Sequence, residues 1–129
     1  MSTTFFAPMI YLKKVAPAIE FYKKAFDAVE LRRWSNDDGS VHVAEMSIDG
    51  NLFHMHEEST RNNEFSPETL KATSLAIGLF VDDPYTVMAK AVAAGGTVLD
   101  PVTDYDYEYR QGLVADPFGH HWLLEKKIG

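Results

Sequence analysis

The chain repeats itself. Leu12, Ile19, Ala25, Val29 and Gly50 each find a counterpart of like character 69 positions further on, at Val81, Met88, Ala94, Val98 and Gly119. One offset that holds through strand-like, helical and turn segments marks two copies of one structural unit. With 129 residues in all, each copy is about 60 residues long, too short to bury a self-sufficient core. The copies must therefore share one. This reads as a single domain over residues 1–129, with module one at 5–57, a linker at 58–73 and module two at 74–127.

Each module reads as β-α-β-β-β, an α+β pattern. In module one, Phe6 to Leu12 is a short apolar run. Pro17 suits the first turn of a helix, along which Ile19, Tyr22 and Phe26 recur at helical spacing. Val29 to Trp34 has strand character. Val41 to Ile48 and Leu52 to Glu57 flank Asp49-Gly50, the dipeptide that supplies the two positive φ values of a tight type I′ hairpin. Residues 58–73 are polar and aperiodic, with one helical turn expected at Pro67 to Lys71. Module two restarts with Leu75 to Val81. Asp83-Pro84 opens a helix whose buried stripe is Val87, Met88, Ala91 and Val92, and Gly95-Gly96 ends it. Thr97 to Leu99 resumes as strand. Leu113 to Ala115 and His121 to Glu125 then flank the turn Asp116-Pro117-Phe118-Gly119.

Composition removes several functions. A net charge of −7, with twelve Lys and Arg scattered among nineteen acids, argues against a phosphate-binding surface, so nucleic acid is not an expected partner. The absence of cysteine excludes thiol catalysis, disulfides and zinc–thiolate sites. No stretch approaches the ~18 apolar residues of a spanning helix, and the N-terminus lacks a signal-peptide pattern. The expectation is a cytoplasmic protein with no membrane partner. There is no glycine-rich phosphate loop and no nucleophile elbow, so a covalent hydrolase is not expected.

The segments Ala18-Ile19-Glu20-Phe21-Tyr22-Lys23-Lys24-Ala25-Phe26, Val43-Ala44-Glu45-Met46, Val81-Asp82-Asp83 and Asp116-Pro117-Phe118-Gly119-His120-His121-Trp122 resemble, in that order, the vicinal-oxygen-chelate superfamily of glyoxalases, bleomycin-resistance proteins and extradiol dioxygenases. The chain looks most like its PhnB-like branch. The resemblance covers roughly Phe5 to Lys126. It implies two tandem βαβββ modules in a cupped, mostly antiparallel eight-stranded sheet around a cavity, a small-molecule ligand and a homodimer. In metal-dependent members four ligands project into the cup, and the resemblance places them near Ala7, His54, Ala76 and Leu123. Only His54 can hold a metal, and a catalytic divalent ion needs about three protein donors. No cofactor is therefore expected. The resemblance then points to metal-free binding, as in antibiotic-sequestering members whose cavity lies at a dimer interface.

Polar residues remain that could do chemistry. A tight turn at Asp49-Gly50 sets Glu45 opposite His54 and Val43 opposite His56, and strand alternation puts Glu45, His54 and His56 on one face. That face should be the cup, with Ala44, Met46, Phe53 and Met55 under the helix. Glu45 beside His54 gives either a general base or the beginning of a metal site, against the plainer reading of a polar pair in a wet groove. By the repeat, Glu125 corresponds to His56. A rearranged divalent-metal site of His54, His56 and Glu125, with Glu45, is the alternative, and would make the protein a lyase, isomerase or dioxygenase. His42 should face away from the cup. His120 should be held by its turn and His121 should lie at the surface or an interface. Tyr105, Tyr107 and Tyr109 alternate in a presumed extended segment, placing rings on one side to stack on a ligand or pack at a subunit contact. Arg110 would bind an anion or pair with Glu108 or Asp106.

Overall fold

The computed structural model describes residues 3–129. Module one comprises β1 (Met9–Leu12), α1 (Val15–Phe26), β2 (Val29–Ser35), β3 (Val41–Ile48) and β4 (Asn51–Glu57). After a 3-10 turn at Thr60–Asn62 and a short helix α2 (Pro67–Leu70), module two follows with β5 (Ala76–Phe80), α3 (Pro84–Ala93), β6 (Thr97–Tyr105), β7 (Tyr109–Ala115) and β8 (His121–Lys127). The 69-residue offset carries each element of the first module onto its counterpart in the second.

The eight strands form two mixed four-stranded sheets, ordered β1-β4-β3-β2 and β5-β8-β7-β6. In each, the first strand pairs parallel to the last, and the other pairs are antiparallel. The hairpin at Asp49-Gly50 is the expected type: both residues have positive φ, 48° and 81°. The resulting register sets Glu45 against His54 and Val43 against His56.

Two boundaries differ from the sequence expectation. Strand β1 begins at Met9 rather than Phe6, because Pro8 lacks the N–H a strand would use there, and Phe6 stands 96% exposed. Strand β6 continues to Tyr105 instead of stopping at Leu99. The strand runs through Pro101 because β6 is an edge strand, where a missing N–H is tolerated, and register shifts between Val98 and Thr103 absorb the proline. Tyr105 and Tyr109 therefore face each other across a hairpin; the stretch between them is a turn and not one extended segment.

Helices α1 and α3 pack against each other, α1 on β3 and β4 and α3 on β6, β7 and β8. The face of each sheet that carries its helix is thus turned toward one shared core. Module one contributes Ile19, Tyr22, Ala44, Met46, Phe53 and Met55, and module two Met88, Ala91, Val114, Trp122 and Leu124. The ring of Trp122 lies 4.9–5.9 Å from those of Tyr22, Phe26 and Phe53, so the modules meet through aromatic contact.

Asp116 fastens that contact. It is 4% exposed, and its carboxylate accepts hydrogen bonds from the Tyr22 hydroxyl, Trp122 Nε1 at 3.0 Å and the backbone N–H groups of Phe118 and His120. His120 adds a second tie, donating from Nε2 to the Tyr11 carbonyl at 2.8 Å. Burial first, then the adjacent Asp116 charge, pushes the Tyr22 hydroxyl well above its ordinary pKa of 10.0. With the folded pKa above the unfolded one, this contribution to stability is whole below pH 10 and is lost as pH rises beyond it, because the unfolded chain ionises first. Tyr22→Phe should cost about 1–2 kcal/mol at neutral pH. The gap between variant and parent should narrow from about pH 9.5 to 11, as read by urea unfolding; a gap that widens with pH refutes this account.

Candidate functional site

The opposite face of each sheet is turned away from the shared core and carries most of the polar residues singled out by the sequence. On module one, His54 Nε2 lies 3.1 Å from Glu45 Oε2, with each side chain about one-third exposed. With Nε2–H donating to the carboxylate, Nδ1 is left with a free lone pair, the tautomer suited to accept a proton or a ligand hydrogen bond. His56 sits on the same strand two residues on, but its Nδ1 donates to the Glu57 carbonyl at 2.7 Å, and the ring edge of Tyr11 packs against it at 5.9 Å.

His42 corrects an expectation. Alternation predicts that it turns away from His56, yet the two rings are 4.7 Å apart. His42 Nδ1 lies 3.2 Å from Glu57 Oε1, which also accepts from Asn36. The cause is local: the β2–β3 register shifts beside Trp34 and Ser35, so strict alternation fails at the first residues of β3. Module one thus holds two polar groups, His54 with Glu45, and His42 with His56 and Glu57.

On module two, Glu125 is only 8% exposed. It pairs in register with Gln111 on β7 and Phe80 on β5, and Gln111 Nε2 donates to its Oε1 at 2.9 Å. The Tyr107 hydroxyl donates to the Gln111 carbonyl oxygen. Tyr105 and Tyr107 stack at 5.2 Å, and Tyr107 meets Tyr109 at 6.0 Å, so the three rings cluster as expected, though through a hairpin. Arg110 departs from both sequence alternatives. It makes a two-pronged bond to Asp104, at 2.7 and 3.1 Å, and lies over the Tyr85 ring. It points to the helix side of the sheet, opposite its tyrosine neighbours, because alternation assigns residues 109 and 110 to different faces. His121, the first residue of β8, is half-buried.

Gln111, Phe80 and Gly78 were not singled out by the sequence. A hairpin register drawn about Asp116–Gly119 reaches Gln111 from Glu125, so that neighbour was in principle accessible. Phe80 and Gly78 depend on the parallel pairing of β5 with β8, for which no local signal exists.

The two faces do not meet within one chain. The expected approach of Glu125 to His56 is absent, since each lies on the side of its sheet away from the shared core. Among the described residues no three His, Asp or Glu side chains converge as a metal would require. At the positions where the resemblance expects ligands, Ala7, Ala76 and Leu123 offer no donor. The donor set of the single chain does not fit a catalytic divalent ion. A separate groove of about 710 Å³ runs along the junction of the modules, bordered by Phe26, Ile48, Leu79, Phe80, Val87 and Glu125. Among the described residues no helix is long and apolar enough to cross a membrane.

Residues 5–124 match the profile of the Glyoxalase/Bleomycin resistance protein/Dioxygenase superfamily. The chain belongs to that family. Relatives include an uncharacterized protein of Mycobacterium tuberculosis, Rv0887c, 36% identical over 95% of this chain and 74% of its own length. The crystallised Arabidopsis thaliana product At5g48480 is 29% identical, with a TM-score of 0.76 over 97% of this chain and all of its own. The fosfomycin resistance protein FosX of Listeria monocytogenes, solved with Mn(II) and a dihydroxypropylphosphonic acid, shares the fold, with a TM-score of 0.68 at 16% identity over 96% of this chain and 90% of its own.

Proposed function

We propose that this glyoxalase-family protein binds a small organic molecule in a cavity completed by a second copy of the chain, without the metal quartet of the catalytic members. The observation that carries this reading is that the faces bearing His54, Glu45 and His56 on module one, and Glu125 and the tyrosines on module two, are turned away from each other. A homodimer that lays module two of one copy over module one of the other brings these half-sites together. Exposed apolar residues on and beside those faces, among them Met9 and Phe80 at 52% and 65%, favour such a covering, as do the open edges of β1 and β5. The Ala-x-x-Phe-Tyr helix and the Asp-Pro-Phe-Gly-His-x-Trp hairpin favour the PhnB-like branch.

Within the cavity His54 serves as a hydrogen-bonding group. Its imidazole is held by Glu45, and its free Nδ1 receives a donor from the ligand. Light scattering should give twice the chain mass, and untagged protein should carry less than about 0.1 equivalent of Zn, Ni, Mn or Fe. Stoichiometric metal that is lost on His54→Ala would replace this reading with the rearranged-metal enzyme, and a chain that stays monomeric at micromolar concentration would remove the shared cavity.

A further inference from the structure

The duplication that makes two like modules also makes two like junctions between them, and only one is covered. Where β1 runs beside the turn of module two, with His120 Nε2 donating to the Tyr11 carbonyl, the linker is laid into the junction. Ser66 is fully buried there, and Pro67 packs so close to Gly119 that a methyl group on that glycine would come within 2.8 Å of it. The space left beside β1 is only about 160 Å³, walled by Ile10, Tyr11, Phe65, Pro67, Leu70 and Leu75.

The 69-residue offset carries Ile10, Tyr11, Gly119 and His120 onto Leu79, Phe80, Gly50 and Asn51, and these four border the 710 Å³ groove. The groove is therefore the second junction. Among the described residues nothing covers it: a methyl group on Gly50 would meet no atom within 4 Å. The linker covers one junction and cannot reach both.

The segment that leads into β1 has the chemistry such a seat takes. The offset sets Phe6 against Leu75, which brings the chain out of the covered junction into β5. Phe6-Ala7-Pro8 also repeats the aromatic, small, proline order of the seated Phe65-Ser66-Pro67. Yet Phe5 and Phe6 stand 72% and 96% exposed. Their own chain's groove does not hold them, since among the described residues its walls begin at Phe26. The Pro8 carbonyl accepts from the His54 N–H at 2.9 Å, so the arm before it leaves from a fixed point on the sheet.

That arm grows from β1 and the groove lies against β5, the open edge strands of the two sheets. A two-fold axis that sets β1 of one copy beside β5 of another sets the second such pair as well, and each arm then meets a groove. The area suffices. At roughly 200 Å² per phenyl side chain the four exposed rings bring roughly 700 Å², and walls that lose as much raise the total to about 1,300 Å², within the range of stable interfaces.

We infer that the groove seats the N-terminal arm of a second copy, with Phe5 and Phe6 entering against Ile48, Leu79 and Val87 of the partner subunit and the exchange made twice about a two-fold axis. This names the contact that holds the homodimer proposed above and rests on that reading.

Sedimentation equilibrium of the full-length protein measures the dimer Kd. The double variant Phe5→Ser/Phe6→Ser should raise it at least tenfold with an unchanged far-ultraviolet circular dichroism spectrum, because neither ring packs within its own chain. The chain has no cysteine, so Phe6→Cys on the arm and Asp82→Cys on the groove wall make an unambiguous pair. Mixed as two single variants of distinct mass and treated with a short bismaleimide, they should give a covalent heterodimer. Absence of that product overturns the arm exchange, as does linkage within one chain of the Phe6→Cys/Asp82→Cys protein, which puts the arm in its own groove. A serine variant that dimerises as tightly as the parent overturns it too and leaves the shared cavity standing. A parent chain that is monomeric at micromolar concentration overturns both.

Discussion

Asp116→Ala is expected to lower the melting temperature by about 10–20 °C, the largest effect of any single polar substitution in the molecule. Four donors converge on this carboxylate: the Tyr22 hydroxyl, the Trp122 indole and two backbone N–H groups of its own turn. Alanine leaves the hydroxyl and the indole N–H without their acceptor in a core where both residues are at most 1% exposed. Each stranded buried group costs about 1–3 kcal/mol, so about 3–5 kcal/mol is lost in total. Tyr22→Phe removes only one donor and should cost less than half as much. Differential scanning calorimetry of both variants checks the ranking. A shift below about 4 °C for Asp116→Ala would mean that the turn holds its shape without the carboxylate and that the aromatic contact alone joins the modules.

The same region explains what could be read from the residues alone. The duplication, the βαβββ order and the β3–β4 register were legible because they rest on local rules: helical spacing in Ile19, Tyr22 and Phe26, turn chemistry at Asp49-Gly50, and alternation along a strand. Those rules correctly put Glu45 beside His54 and sent Phe53 and Met55 to the helix side. They do not say what covers the other face. Alternation decides which residues share a side of a sheet, whereas the packing of one module on the other depends on contacts nearly a hundred residues apart, such as Tyr22 with Asp116. Whether a cup closes within one chain or between two copies is set by those long-range contacts. The expectation for His42 failed locally, because it is the extra residue of a bulge at the start of β3, opposite Trp34 and Ser35, which moves it off the side that alternation assigns. Glu125 was found through the repeat, but its partners were not, since Phe80 and Gly78 reach it only through a parallel pairing that leaves no mark on nearby sequence.

Severing the chain in the linker should abolish folding of both halves. A module of this size buries only about 60% of the surface its unfolded chain exposes and is marginal even with a core of its own. Here neither half has one. Module one ends its aromatic layer at Tyr22, Phe26 and Phe53, whose next contact is Trp122 of module two. Module two fills its side with Met88, Val114, Trp122 and Leu124, which would face water without α1. The hydrogen bonds across the boundary, Tyr22 to Asp116 and His120 to Tyr11, would go unmade in both pieces. Residues 1–73 and 74–129, expressed separately, should each show a random-coil circular dichroism spectrum and no cooperative thermal transition. Mixed at equal concentration, they should regain the parent spectrum, because every contact that joins the modules is non-covalent and the linker lies outside the shared core. If either half melts cooperatively by itself, the modules are independent domains, and the duplication joined two finished folds instead of two surfaces that need each other.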